Sequence, residues 1–191
     1  MNEIISRGVW DTVHPGPARP ISPRGTSKQV VVHHTAGTYV YAAVGRPGAK
    51  WLRIRARLAG TARRIVETWL KDDAAVKARE CAELRAIKAL HLRVPGLDNR
   101  DIAYHYAIFP SGRIYRLRDD TRLGSHTAGG NTRIGVVFPG NYEKHYMTDR
   151  QEDAYHWLLH HLGIREQDAV GHYRLNPTAC PGKNIKRRLT V

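Results

Sequence analysis

The segment that most constrains the fold is a run of three valines, Val30 to Val32. These β-branched residues favour a strand, and the uninterrupted apolar run favours a buried one. Polar and small residues follow directly, beginning with His33 and His34 and continuing to Gly37. The segment therefore predicts a buried strand that ends in a loop, with two histidines at the point where the strand stops.

The remaining periodic segments predict a mixture of strands and helices. Thr148 and Gln151 match a capping box at the start of one helix, and residues 1–28 indicate an extended lead-in with little regular structure. Further strands are predicted over residues 102–109 and 113–117, which a turn at Pro110–Gly112 joins as a hairpin, and over 134–138. Helices are predicted over about 73–92 and 149–162, and the apolar residues of the first include Val76, Leu84, Ile87 and Leu90. Strands and helices mixed in this way, in a chain of 191 residues, predict one α/β domain over residues 1–191.

The charge of the chain is strongly positive, with 31 Lys and Arg residues against 17 Asp and Glu residues, a formal net charge of +14. Such a balance favours an anionic partner, namely nucleic acid, anionic lipid or an anionic cell-wall polymer. The two cysteines, Cys81 and Cys180, are too few for a disulfide scaffold. Cys81 lies in a predicted helix and is most simply a small buried apolar residue.

Half of the excess charge lies in one segment, which we expect to be an inserted basic amphipathic helix at about 45–72. From Arg46 to Lys71 there are eight basic residues and one acidic residue, Glu67. The apolar residues recur at helical spacing: Trp51, Ile54, Leu58, Ala62, Ile65 and Trp69. Two interpretations stay open: a helix packed on the domain with a solvated basic face, or a helix that attaches to anionic wall polymers or a membrane surface.

Histidines and one cysteine supply candidate metal ligands. Catalytic zinc takes three protein ligands and leaves a position for water, and imidazole and thiolate suit this ion. His33 or His34, together with His172 and Cys180, form a candidate set. The chain contains eleven histidines, so spacing alone is equally compatible with ordinary surface histidines.

Four motifs come in the order seen in one protein family. They are Val30–Gly37, Ile102–Tyr106, Gly124–Thr132 and Gly171–Gly182. The chain resembles the zinc-dependent N-acetylmuramoyl-L-alanine amidases, which include phage lysozyme-type endolysins and peptidoglycan recognition proteins. The resemblance covers nearly the whole chain except about 45–72, and it implies a single domain with a central mixed β-sheet flanked by helices.

The resemblance also implies the ligands of one Zn²⁺ ion and the groups that assist catalysis. His33, His172 and Cys180 match the metal ligands of the family. Tyr104 matches a tyrosine that supports catalysis, and Thr178 stands where some phage members have lysine. A packing role for Tyr104 and a turn role for Thr178 are the alternatives. Zinc would polarise the amide carbonyl and lower the pKa of a water molecule to about 7.

Three further residues are candidates for substrate binding. His126 and Asn131 match residues that line the substrate groove of the family. His34 is the neighbour of a metal ligand, and we expect it beside the metal centre or on the surface.

The implied function is hydrolysis of the bond between N-acetylmuramic acid and L-alanine in bacterial peptidoglycan, in the manner of a phage endolysin. The alternative is a module that binds peptidoglycan without cutting it, but non-catalytic relatives typically lack the cysteine ligand that Cys180 matches. Nucleic acid is not an expected partner, because charge is its only supporting feature. We expect a monomer without a signal peptide, made in the cytoplasm and acting on the wall after release.

Overall fold

The computed structural model describes residues 3–12, 16–17, 20–37, 73–97 and 100–191. The basic segment predicted at about 45–72 falls outside these ranges, so its helix and its anionic partner stay predictions. The described residues form six strands and three α-helices, in addition to short 3₁₀ turns. In chain order these are β1 (Ile4–Ile5), β2 (Val30–His34), α1 (Asp73–His91), β3 (Tyr106–Ile108), β4 (Ile114–Arg116), β5 (Ile134–Phe138), α2 (Asp149–His161), β6 (Ala169–Gly171) and α3 (Lys183–Leu189).

The strands form one mixed sheet in the order β1-β4-β3-β5-β2-β6. The pair β3–β4 is antiparallel, whereas the other neighbouring pairs are parallel. The turn between β3 and β4 contains Gly112, whose φ of +87° is a conformation that glycine adopts without strain. The predicted mixed sheet flanked by helices is therefore confirmed, including the hairpin.

Helices cover both faces of the sheet. On one face, Val30 and Val32 share a buried cluster with residues of α2 and α3, among them Leu158 and Ile185. On the other face, Val137 of β5 packs in a second cluster with residues of α1. The valine run is fully buried, as predicted, because both faces of β2 are covered.

Helix α1 agrees with its prediction except at one apolar position. Cys81 is 6% exposed and has a free thiol, so its predicted role as a small buried residue is confirmed. Leu90, which the periodicity assigned to the apolar stripe, is instead 58% exposed. No helix within the described ranges is both long enough and apolar enough to span a bilayer.

The N-terminal segment is more ordered than predicted. Strand β1 pairs with β4 in parallel, and a 3₁₀ turn at Arg7–Val9 leads to Trp10, which is fully buried. The indole Nε1 of Trp10 donates a hydrogen bond to the carbonyl of Arg116 at 2.8 Å. The prediction of an extended lead-in was wrong here, because the partners of this segment lie more than a hundred residues away in sequence.

A buried ionic network fixes the same segment to the rest of the domain. The guanidinium of Arg7 bonds both carboxylate oxygens of Asp101 at 2.6 and 2.7 Å, and it also pairs with Asp11. The ammonium of Lys88 on α1 contacts the same Asp11 carboxylate at 2.9 Å. Asp101 accepts in addition from the amide of Ile102. The N-terminus is thereby tied to the chain that leads into β3.

The start of α2 carries the predicted capping box. The hydroxyl of Thr148 accepts from the amide of Gln151 at 3.1 Å, and the Gln151 side chain accepts from the amide of Thr148 at 3.2 Å. We expect Thr148→Ala to lower the free energy of unfolding by about 1 kcal/mol, because one amide of the first turn loses its acceptor. Urea titration measures the change, with Thr132→Ala at an exposed position as the control. Equal midpoints for the two variants would contradict the capping role.

Candidate active site

The candidate metal ligands lie at the carboxyl edge of the sheet. Strands β2 and β6 are adjacent and parallel, with Val32 opposite Gly171. The residue that follows each of these two in the chain is a histidine, so the register places His33 and His172 side by side. Their ring centroids are 4.5 Å apart. Parallel strands bring residues that are distant in sequence to the same edge, where ligands of α/β sheets usually bind.

The third candidate ligand reaches this edge through the loop that follows β6. The carbonyl of Cys180 accepts from the amide of Tyr173, and the Cys180 sulfur accepts from the amide of His34 at 3.4 Å. The sulfur lies 3.7 Å from Nδ1 of His33. One ligand atom from each of His33, His172 and Cys180 lies within 4.8 Å of the others. The structure thus brings together the trio that the sequence indicated.

The hydrogen bonds around the two histidines leave one nitrogen of each ring available as a ligand. Nε2 of His172 lies 2.9 Å from the side-chain oxygen of Asn176, which only accepts, so Nε2 carries the proton. Nε2 of His33 likewise has a partner, Nδ1 of His126 at 3.0 Å. Each ring then keeps a lone pair on Nδ1. Two imidazole nitrogens and one thiolate fit Zn²⁺ and leave a fourth tetrahedral position for water or substrate.

Burial sets the protonation of these ligands before a metal binds. It lowers the pKa of His33 well below the usual value and also lowers the pKa of His172, so both imidazoles are neutral, as ligands must be. Burial raises the pKa of the Cys180 thiol to about 11. The thiol is therefore protonated at neutral pH, and metal binding at this site must release its proton.

Tyr104 lies beside the metal ligands, just before β3. Its ring centroid is 5.1 Å from that of His33. Burial raises the pKa of Tyr104 above its usual value, so the hydroxyl keeps its proton and can donate at neutral pH. The predicted strand began at Ile102, but the regular ladder starts only at Tyr106. The backbone before it still bonds to neighbours, for example from the His105 amide to the carbonyl of Gly135.

Thr178 makes the hydrogen bond expected of a turn residue. Its hydroxyl accepts from the amide of Cys180 at 3.2 Å, which helps to shape the loop that carries the sulfur. This contact gives the threonine a local structural role, and its catalytic role stays a prediction.

The three candidate substrate-binding residues are all engaged within the protein. The ring of His34 is 8% exposed and accepts from the amide of Tyr142, which excludes the surface among the two places expected for it. Asn131 uses its side-chain oxygen to accept from the amides of His126 and Thr127. His126 is itself 8% exposed. Substrate contacts by these residues stay predictions.

Asn176 is a site residue that the sequence reasoning did not assign. A 3₁₀ turn at His172–Arg174 brings the amide of Asn176 to the carbonyl of His172 at 3.1 Å, and the side chain then reaches the ring. An acceptor of this kind fixes the tautomer and orientation of a ligand histidine. The available signal was the spacing of four residues between a histidine and an asparagine in a loop.

The chain is similar to several known proteins. The chain is 33% identical over 115 residues to peptidoglycan-recognition protein SC2 of Drosophila simulans, which covers 57% of this chain and 61% of the relative. It is 30% identical over 121 residues to the endolysin of Escherichia phage T7, which covers 59% of this chain and 78% of the relative. The structure of bumblebee PGRP-SA superposes with a TM-score of 0.69 at 22% identity, covering 100% of this chain and 95% of the other.

The family match covers most of the chain and includes all three candidate ligands. The alignment to SC2 spans less than two thirds of that relative's length, whereas the family model for N-acetylmuramoyl-L-alanine amidase matches residues 23–183. The chain therefore belongs to the N-acetylmuramoyl-L-alanine amidase family.

Proposed function

We propose that this protein is a zinc-dependent enzyme that hydrolyses the amide bond between N-acetylmuramic acid and L-alanine in peptidoglycan. The observation that carries the proposal is the convergence of His33, His172 and Cys180, whose ligand atoms lie within 4.8 Å of one another. A nitrogen, nitrogen and sulfur set with a fourth position available is typical of catalytic rather than structural zinc.

The residues around this set have distinct tasks in amide hydrolysis. When bound, Zn²⁺ would polarise the carbonyl and lower the pKa of a water molecule to about 7. As water adds to the carbonyl carbon, negative charge grows on the carbonyl oxygen, and in this proposal the protonated hydroxyl of Tyr104 donates to it. The Thr178 hydroxyl is a second candidate donor. The low exposure of His33 limits competition from bulk water around the reacting groups.

A second candidate function is peptidoglycan recognition without cleavage. It is favoured by the relatives that are named peptidoglycan-recognition proteins. Recognition alone does not require a metal, whereas the Cys180 sulfur of this chain lies 3.7 Å from Nδ1 of His33, which supports a shared metal ion. We therefore prefer the catalytic function.

The biological setting that we propose is lysis of a bacterial cell wall by an endolysin. The similarity to the endolysin of phage T7 supports it. The enzyme would be made in the cytoplasm of a host and reach the wall after release. The basic segment 46–71 would hold anionic wall polymers or a membrane surface, since it carries eight basic residues and one acidic residue.

Removal and return of zinc test the catalytic proposal. Native protein should release stem peptides with new L-alanine amino termini from purified peptidoglycan. We expect chelator-stripped protein to lose this activity almost entirely and to regain it when zinc is restored, because the ion supplies both the activated water and the carbonyl polarisation. Amino-terminal analysis of the soluble products measures the reaction, and circular dichroism checks that stripping leaves the fold intact.

The same experiment separates the two candidate functions. Folded, zinc-loaded protein that cleaves none of several wall types, yet still sediments with them, would support recognition without catalysis. Cleavage that persists after complete zinc removal would reject the metal mechanism while leaving the amidase activity.

A further inference from the structure

The side chain of His126 is enclosed by the protein next to the metal ligand His33. Its side chain is packed between two glycines, and a Cβ atom added at Gly124 or Gly135 would lie 2.4 or 2.5 Å from Cδ2 of the ring. Contacts that short are not tolerated, so both positions need glycine while the imidazole is there. With an exposure of 8%, the ring has little surface left for a substrate.

The two ring nitrogens of His126 have different partners, and the partners define the tautomer. Nε2 lies 3.2 Å from the carbonyl oxygen of Arg133, which only accepts, so Nε2 carries the proton. A neutral imidazole with its proton on Nε2 has a lone pair on Nδ1. Nδ1 is therefore an acceptor.

This acceptor faces the metal ligand His33. Nδ1 of His126 is 3.0 Å from Nε2 of His33, so the His33 proton lies on Nε2 and its Nδ1 keeps the lone pair. Nδ1 of His33 is also the atom that faces the Cys180 sulfur, at 3.7 Å. The chain of hydrogen bonds thus runs from His33 through His126 to the Arg133 carbonyl, and it turns the free nitrogen of His33 toward the other two ligands.

We propose that His126 is a positioning residue that fixes the tautomer and orientation of His33 for metal binding, rather than a residue that contacts substrate. The inference rests on the proposed function in that it takes His33 as a zinc ligand. Hydrogen-bond partners of ligand histidines raise metal affinity because they set the tautomer and strengthen the ligand as a base. The sequence motif instead suggested a place in the substrate groove.

Thr127 contacts the same two ring nitrogens and is therefore a competitor for this role. Its hydroxyl lies 2.9 Å from Nδ1 of His126 and 3.4 Å from Nε2 of His33. The longer distance makes it the weaker acceptor for the His33 proton. The test therefore has to treat the two residues separately.

The test measures zinc affinity of the purified chain by competition with a chromogenic chelator. Four variants are compared with the native protein: His126→Ala, His126→Asn, Thr127→Val and His105→Asn. Asparagine at position 126 keeps an acceptor near the place of Nδ1. His105 is the matched control, because it is also a buried histidine, and burial lowers its pKa to about 4. Its ring bonds the Arg122 carbonyl and the Gly135 amide rather than a metal ligand.

We expect His126→Ala to bind zinc about 10- to 100-fold more weakly. His126→Asn should recover most of the loss, and Thr127→Val and His105→Asn should stay within a few-fold of native. In cobalt-loaded protein, His126→Ala should also shift the absorption bands of the metal. At saturating zinc, the KM for a peptidoglycan fragment should be unchanged. Native zinc affinity in His126→Ala with a raised KM would overturn the proposal in favour of substrate contact.

A measurement on the native chain needs no variant and covers the case in which His126→Ala does not fold. Long-range ¹H–¹⁵N spectra of the metal-free protein should show the proton on Nε2 in both His33 and His126, and a proton on Nδ1 of His33 would overturn the proposal. Because affinity and tautomer are read without cleavage, absence of amidase activity would reject the proposed function alone. A native chain that binds no zinc would reject both.

Discussion

Cys180→Ala should lower the release of stem peptides by about 10³-fold or more, which corresponds to at least about 4 kcal/mol of transition-state stabilisation. The substitution removes the sulfur that lies 3.7 Å from Nδ1 of His33 and leaves two histidines, too few to hold catalytic zinc firmly. Zinc content by mass spectrometry should fall together with activity. Activity per bound zinc is the quantity to compare, since a variant that binds some metal would otherwise appear partly active.

Cys81→Ala is the matched control for this experiment. Cys81 is the other free cysteine, and it is buried in α1 as a member of the second core cluster rather than at the metal site. Its removal should cost about 1 kcal/mol of stability or less and leave activity per zinc within about twofold of native. An active, zinc-loaded Cys180→Ala protein would exclude Cys180 as a ligand.

Trp10→Ala should lower the free energy of unfolding by about 3–5 kcal/mol, the usual cost of truncating a large buried aromatic residue. The indole is fully buried and packs with Leu84 and Tyr115. Its loss also leaves the Arg116 carbonyl without a donor. Urea titration of the zinc-free protein measures the effect, so that metal affinity does not contribute to the stability.

The neighbouring residue provides a control at the same place in the chain. Val9 is 40% exposed, and Val9→Ala should change stability by no more than about 0.5 kcal/mol. Catalysis by Trp10→Ala below its unfolding transition should be close to native, because Trp10 packs in the second core cluster, to which none of the three ligand residues belongs. A small change of stability in Trp10→Ala would mean that the N-terminal segment adds little to the domain.

Local sequence signals predicted the elements whose stabilising contacts are themselves local. The Thr148 capping box marked the start of α2, and the apolar run at Val30 marked β2. The turn at Gly112 likewise indicated the hairpin of β3 and β4. In each case the side chains that define the element are near one another in sequence, so a single-sequence pattern contains the information.

Contacts between segments that are distant in sequence were harder to predict from the sequence. Strand β1 is two residues long and pairs with β4 across the sequence, so no periodicity marks it. Leu90 fits a helical stripe, but its side chain is exposed in the structure. Periodicity predicts which face of a helix is apolar, whereas the extent of the covering surface depends on tertiary structure.

The residues of the candidate site divide in the same way, into those that the sequence identified and those that it did not. Motif order identified His33, His172 and Cys180, and the structure brings their ligand atoms together. The residues that orient them were missed or assigned elsewhere, because hydrogen-bond direction depends on where each ring nitrogen points. Asn176 and His126 became interpretable only when the acceptors around Nε2 of each histidine were known.

The separation of the ligands along the chain has a consequence for biosynthesis. His33 and Cys180 are 147 residues apart, and His172 follows β6, which pairs with β2. A nascent chain that has not yet delivered residue 180 from the ribosome therefore lacks the donor set, however well its N-terminal strands have folded. Loading of the proposed zinc site therefore waits until the last motif has been translated.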